Sequence, residues 1–167
     1  VSGDNVTYTF TSNVNSSIVV QRNNTVVDGA GFTLQGDGSS NGFSLSGVTN
    51  VTVTNVEING FVNGFNLSYS SGNTISRCRI RNNSLYGIQL TTYSSGNSIF
   101  ENNITANGQD GVYLFYSTSN VISRNIMTDN FNASILLSYY ASNIIVGNDI
   151  ENNSNGIWTA WSSGNRI

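Results

Sequence analysis

The chain has no proline, no histidine and no lysine, and only one cysteine and one methionine in 167 residues. Without histidine it lacks the side chain most often used as a general base near neutral pH. The single Cys78 rules out an internal disulfide, so cysteine usage says little about compartment. Charge is scarce as well: 9% of residues are charged, six arginines against nine acids, for a net −3. That balance leaves no electrostatic footprint for nucleic acid or for an anionic membrane surface. Apolar runs extend for only a few residues, too short for a membrane-spanning helix.

What is abundant is Asn, Ser, Thr and Gly, the residues of turns between short strands. Regular Ile, Val and Leu spacing sets the sequence apart from a disordered chain, and its length suits one domain with a substantial core. A start at Val1 fits a processed secreted protein or a fragment, so an extracellular or cell-surface location is expected. Nine Asn-x-Ser/Thr sequons are candidate glycosylation positions: Asn5, Asn15, Asn23, Asn50, Asn66, Asn82, Asn103, Asn132 and Asn152. In a chain this rich in Asn, Ser and Thr they follow largely from composition.

The organising feature is a repeat. Asn50, Asn73, Asn97, Asn120, Asn143 and Asn165 recur at intervals of 22 to 24 residues, each near small turn residues. A period of that size signals stacked supersecondary units that share a core. Counting from each Asn, an aliphatic stands two residues on (Ile75, Ile99, Ile122, Ile145) and seven on (Ile80, Ile104, Met127, Ile150). A third apolar pair follows, ending at Leu90, Leu114 and Leu137. Apolar residues two apart are the strand signature, and the breaks in alternation require bends. Three short strands and three bends make a triangular coil, stacked in parallel on the next at about 4.8 Å. Six or seven coils give an all-β rod roughly 30 Å long.

Further Asn columns fall five residues on (Asn102, Asn125, Asn148, with Cys78 as the odd rung) and ten on (Asn83, Asn107, Asn130, Asn153). An Asn at a bend tolerates left-handed backbone, and its stacked amides can satisfy buried bend groups. Cys78 and Met127 occupy inward positions. Residues 1–46 are less regular than 47–167; VTYTF and SIVVQ read as strands covering the open first coil. The sequence stops at GNRI, two residues into a new coil, which points to a longer parent or to an edge that meets another subunit. Self-association, head-to-tail or lateral, is therefore expected.

The segment NTVVDGAGFTLQG, followed by repeated SxNxIxxNxI…N…GIxL, resembles the right-handed parallel β-helix proteins of the pectate-lyase-like superfamily. Within them it is most similar to the NosD-type repeat family. The resemblance implies the coil, and for NosD a role in periplasmic copper handling. Copper sites want His, Met or Cys, and this chain offers only Met127 and Cys78, both inward. Polysaccharide cleavage is the other activity the resemblance implies, by lyases with a basic residue and calcium-binding acids or by hydrolases with clustered Asp.

Clusters of that kind are not visible in the sequence. Glu57, Glu101, Asp110, Asp129, Asp149 and Glu151 are dispersed and read as solvated surface. Arg77, Glu101 and Arg124 recur at one coil position and read as an outer ion ladder, an anionic-sugar contact being the alternative. Tyr69, Tyr93, Tyr116, Tyr139 and Trp161 form a column that either closes a corner of the core or offers a sugar-stacking platform. On the third strand, outward Asn66 and Gln89 give way to Tyr113, Leu136 and Trp158, with Phe115 beside them. This apolar stripe is a candidate protein interface or glycan contact. Taken alone, these features favour a non-catalytic structural protein, a filament, surface-layer or adhesin module, with no catalytic residue, cofactor or metal. A carbohydrate-binding or polysaccharide-cleaving module is the alternative.

Overall fold

The computed structural model describes residues 6–139 and 142–167, and in them the coil drawn from the sequence is present. The first coil carries β1 (Val6–Thr9) and β2 (Ile18–Val20). The second carries β3 (Thr25–Asp28), β4 (Thr33–Gln35) and β5 (Phe43–Ser46), and the third β6 (Val51–Thr54), β7 (Glu57–Asn59) and β8 (Phe65–Ser68). The fourth and fifth carry β9 (Thr74–Ser76), β10 (Arg79–Arg81), β11 (Ile88–Thr91), β12 (Ser98–Phe100), β13 (Asn103–Thr105) and β14 (Val112–Phe115). The last two carry β15 (Val121–Ser123), β16 (Ile126–Thr128), β17 (Ala133–Ser138), β18 (Ile144–Val146), β19 (Asp149–Glu151) and β20 (Asn155–Ala160).

Corresponding strands pair in parallel to make three sheets, of seven, six and seven strands. Among the described residues there is no helix. The sheets enclose one continuous core, and every inward residue expected from the repeat is buried except Ile150, which is half-buried in the last coil. VTYTF and SIVVQ supply the amino-terminal edge strands of the first and third sheets. Their strands β1 and β2 pair in parallel with β3 and β5, so they are themselves sides of a coil.

The bends explain the Asn columns. Asn102 donates from its backbone N–H to Asn125 Oδ1 at 3.0 Å and from its side-chain amide to the same oxygen at 2.9 Å. Asn125 Nδ2 in turn donates to the carbonyl of Ile99 at 2.9 Å. Left-handed backbone, however, belongs not to the ladder Asn but to the residue before it: Arg77, Glu101 and Arg124 have φ of 53°, 57° and 52°, and Asn50, with φ of 54°, takes this preceding position while Val51 stands opposite Asn73. That residue turns the chain sharply, which aims the following Asn inward at the backbone it must satisfy. Gly64 and Gly87, just before the third strand, are obligatory for another reason. A Cβ on either would stand 2.6 Å from the carbonyl oxygen of the next coil.

Candidate functional site

The third sheet positions the site. Its outward residues run in rows across successive coils, and the row Asn66, Gln89, Tyr113, Leu136, Trp158 is in direct register. Amide side chains occupy the amino half of this floor; aromatic and aliphatic groups occupy the carboxy half. The four residues expected to form a stripe, Tyr113, Phe115, Leu136 and Trp158, therefore do lie together, with Trp158 48% exposed. Tyr113 lies 4.9 Å from the Tyr86 ring and 6.1 Å from Phe115. Two shoulders flank the floor. The bend entering the sheet exposes Leu85 and Phe131, and the corner leaving it carries the Tyr69-to-Trp161 column. A hollow of about 160 Å³ opens beside Phe115, lined by Thr92, Tyr93 and Tyr116.

The corner column lies outside the core. Tyr69 and Tyr93 are each 61% exposed and Trp161 is 79% exposed, so they do not close the core. Tyr116 stacks on Tyr139 at 5.0 Å and 8° from parallel, and Tyr139 on Trp161 at 5.0 Å and 23°. Tyr116 and Tyr139 thus cover one another, while Tyr69, Tyr93 and Trp161 keep much of their surface in solvent. Aromatic surface is exposed both at the corner and, at Trp158, on the floor.

Asp110 is the exception to the view of the acids as solvated. It is buried at the bend entering β14, where Oδ1 accepts the Ala133 N–H at 2.9 Å and the Asn132 amide at 2.8 Å. Burial pushes its pKa above the ordinary 3.8, against the opposing effect of the Ala133 and Asn132 hydrogen bonds. Tyr86 is pushed upward by burial and then by the Asp110 charge. Tyr113 is pushed upward by burial and then by Tyr86, while a hydrogen bond with Ser138 works the other way. A carboxyl behind two half-buried phenols is thus the perturbed titratable group of this face. Asp149 and Glu151 are exposed, as expected.

Elsewhere the chemistry is quiet. Glu101 bridges Arg77 at 3.2 Å and Arg124 at 3.6 Å, and Glu57 binds Arg81 at 2.6 Å, on the far side of the coil from this face. The Cys78 thiol is buried and its pKa is pushed up to about 12 by that burial, which leaves it unreactive. Met127 is fully buried, and among the described residues no three His, Cys, Asp or Glu side chains are grouped to hold a metal. Of the sequons, Asn5 lies outside the described residues; Asn15, Asn23, Asn50, Asn82 and Asn152 are exposed. Asn66, Asn103 and Asn132 are half-buried, and the first and last adjoin the floor described above.

The sequence profile of the family described as "right handed beta helix region" matches residues 15–167. Among curated proteins none matches significantly in sequence. Among solved structures, the periplasmic alginate epimerase AlgG superposes with a TM-score of 0.71 at 18% identity, over 87% of this chain and 46% of the epimerase. The chain thus spans less than half the length of that protein. An alginate lyase from Paenibacillus sp. str. FPU-7 gives 0.71 at 11% identity, over 98% of this chain and 88% of the lyase. The catalytic domain of a GH87 α-1,3-glucanase gives 0.59 at 22% identity, over 90% and 33%. These likenesses establish the fold.

They also correct an expectation. The sequence alone favoured a non-catalytic filament, surface-layer or adhesin module and no enzymatic activity. The solved structures that share this coil include an epimerase, a lyase and a glucanase, enzymes rather than scaffolds. The sequence also does not show the burial of Asp110 beside Tyr86 and Tyr113, which appears only once the coils are stacked.

Proposed function

Because the chain belongs to the right-handed β-helix family, we propose that it is a polysaccharide-acting protein whose glycan lies across the outer face of the third sheet. The observation that carries this reading is the placement of Asp110, Tyr86 and Tyr113 at a floor that is polar at one end and aromatic at the other. Groups with shifted pKa values beside exposed apolar and polar side chains, with a hollow at Phe115, mark where ligands bind and react. The enzymes named among the structural neighbours act on polysaccharides, which supports the same class of substrate here. Such polymers are met outside the cytoplasm, in the periplasm or beyond.

In this reading the roles divide by exposure. Tyr113 and Tyr86 face the substrate as neutral phenols, which both donate and accept hydrogen bonds. Asp110 is buried behind them and acts as a positioning residue, holding the bend and biasing both phenols by its charge. Trp158, Leu136 and Phe115 pack against the apolar faces of sugar rings, while Gln89 and Asn66 meet hydroxyls.

Hydroxyl-radical footprinting with and without a panel of soluble polysaccharides tests the reading. A bound polymer is expected to protect Tyr113, Phe115 and Trp158 while leaving Ile126 and Val146, exposed on the other sheets, as reactive as before. Protection of the other sheets instead would refute it.

A further inference from the structure

The distribution of charge around this face says which polysaccharides it can take. All six arginines lie within the described residues, and none is on the floor. Arg77 and Arg124 sit on the bend between the first and second sheets, Arg79 and Arg81 on the second sheet, and Arg166 beside Ile144 on the first. Arg22 follows β2, two coils from Asn66 at the amino end of the floor, a separation of about 10 Å along the axis at the usual strand spacing that grows to about 19 Å at Tyr113. That exceeds the screening length of about 8 Å at physiological salt. The arginines nearest one another are also partly neutralised by Glu57 and Glu101.

The floor itself is built from neutral groups. Asn66, Gln89 and Tyr113 each both donate and accept, the capacity that matches sugar hydroxyls. Phe115, Leu136 and Trp158 supply apolar contact. The charge closest to the floor is Asp110, and it is negative. A carboxylated sugar seated here would lose water around its charge, gain no cation in exchange and face a like charge. From this geometry we infer that the polymer is a neutral polysaccharide rather than a polyuronate. The inference rests on the reading of the third-sheet face as a glycan site and names that site's substrate class.

Affinity measured on the intact chain, by calorimetry or affinity electrophoresis, decides the matter. The probes are neutral polymers (α-1,3-glucan oligomers, xylan, a β-glucan) and acidic ones (alginate, polygalacturonate), each at low and high salt. One or more neutral polymers should bind at least about tenfold tighter than either polyuronate, a difference of about 1.4 kcal/mol. Between about 0.05 and 0.5 M salt that affinity should change less than about twofold, since no ion pair is formed. Replacing one floor amide by a cation, Gln89→Arg, should raise alginate binding and make it salt-sensitive. Tighter, salt-sensitive binding of a polyuronate by the unmodified chain would overturn the inference while leaving the glycan face standing. Binding of no polymer of either class would overturn both.

Discussion

Asp110 stands two coils beyond Asn63 at the same bend, and each accepts through Oδ1 the backbone N–H of the residue stacked on it. The partners are Ala133 at 2.9 Å and Tyr86 at 3.2 Å. The aspartate does the structural work of an asparagine and adds a charge. The two functions can be separated by substitution. Asp110→Asn keeps the acceptor and should fold normally, whereas Asp110→Ala strands the buried Ala133 N–H and should cost about 1–3 kcal/mol.

The same substitution has a pH signature. Burial raises the Asp110 pKa, so its ionised form is disfavoured in the folded chain. The folded state therefore loses stability as pH rises through the raised value and recovers it as pH falls toward 3.8. Asp110→Asn should be more thermostable than the parent at neutral pH, and the gap should close by about pH 3.8, measured by melting at a series of pH values. A gap that widens on acidification would contradict the assignment.

Cys78 is a rung of the second Asn ladder without the amide. Its Sγ lies 3.9 Å from the Val53 carbonyl, in the position from which Asn102 Nδ2 reaches the Ile75 carbonyl at 3.0 Å. Cys78→Asn should extend the ladder and stabilise by about 1 kcal/mol, raising Tm by about 2–4 °C. Removing an interior rung, Asn125→Ala, leaves several buried groups unpaired and should cost about 3–5 kcal/mol in denaturant unfolding.

Those ladders, the coil period and the inward aliphatics were all legible in the sequence because each repeats the same residue type at the same interval. The ion ladder of Arg77, Glu101 and Arg124 was legible for that reason too. The site was not. Its bend column reads Asn63, Tyr86, Asp110, Ala133, four different residues with no common chemistry to mark a column. Outward positions are free to vary from coil to coil, and only the stacked register brings Tyr86 within 4.9 Å of Tyr113. The left-handed residues were misassigned to the Asn columns because single residues such as Arg77 and Glu101 carry no turn signature.

Ser134 occupies the column of Gly64, Gly87 and Gly111, and its hydroxyl is buried without a hydrogen-bond partner. Ser134→Ala removes that unpaired group without enlarging the side chain and should stabilise the chain by about 1 kcal/mol. Unchanged or lower Tm would mean that the hydroxyl is satisfied.

Two tryptophans separate floor from corner. Trp158 offers free surface on the floor, whereas Trp161 is stacked on Tyr139. Trp158→Ala should weaken polysaccharide binding about tenfold, and Trp161→Ala should leave it within about twofold. Equal losses would show that the corner column is part of the binding surface.

The most direct measurement is turnover. The intact chain and Tyr113→Phe are incubated in parallel with neutral polysaccharides, and the polymers are examined by mass spectrometry and size-exclusion chromatography. The account predicts altered or shortened chains from the parent. Tyr113→Phe, which removes a phenol assigned to proton transfer, should show a rate reduced by about 100-fold, the low end of the scale for a group that itself moves the proton. Equal turnover by parent and variant, or polymer bound on the third sheet yet left intact by the parent, would contradict it.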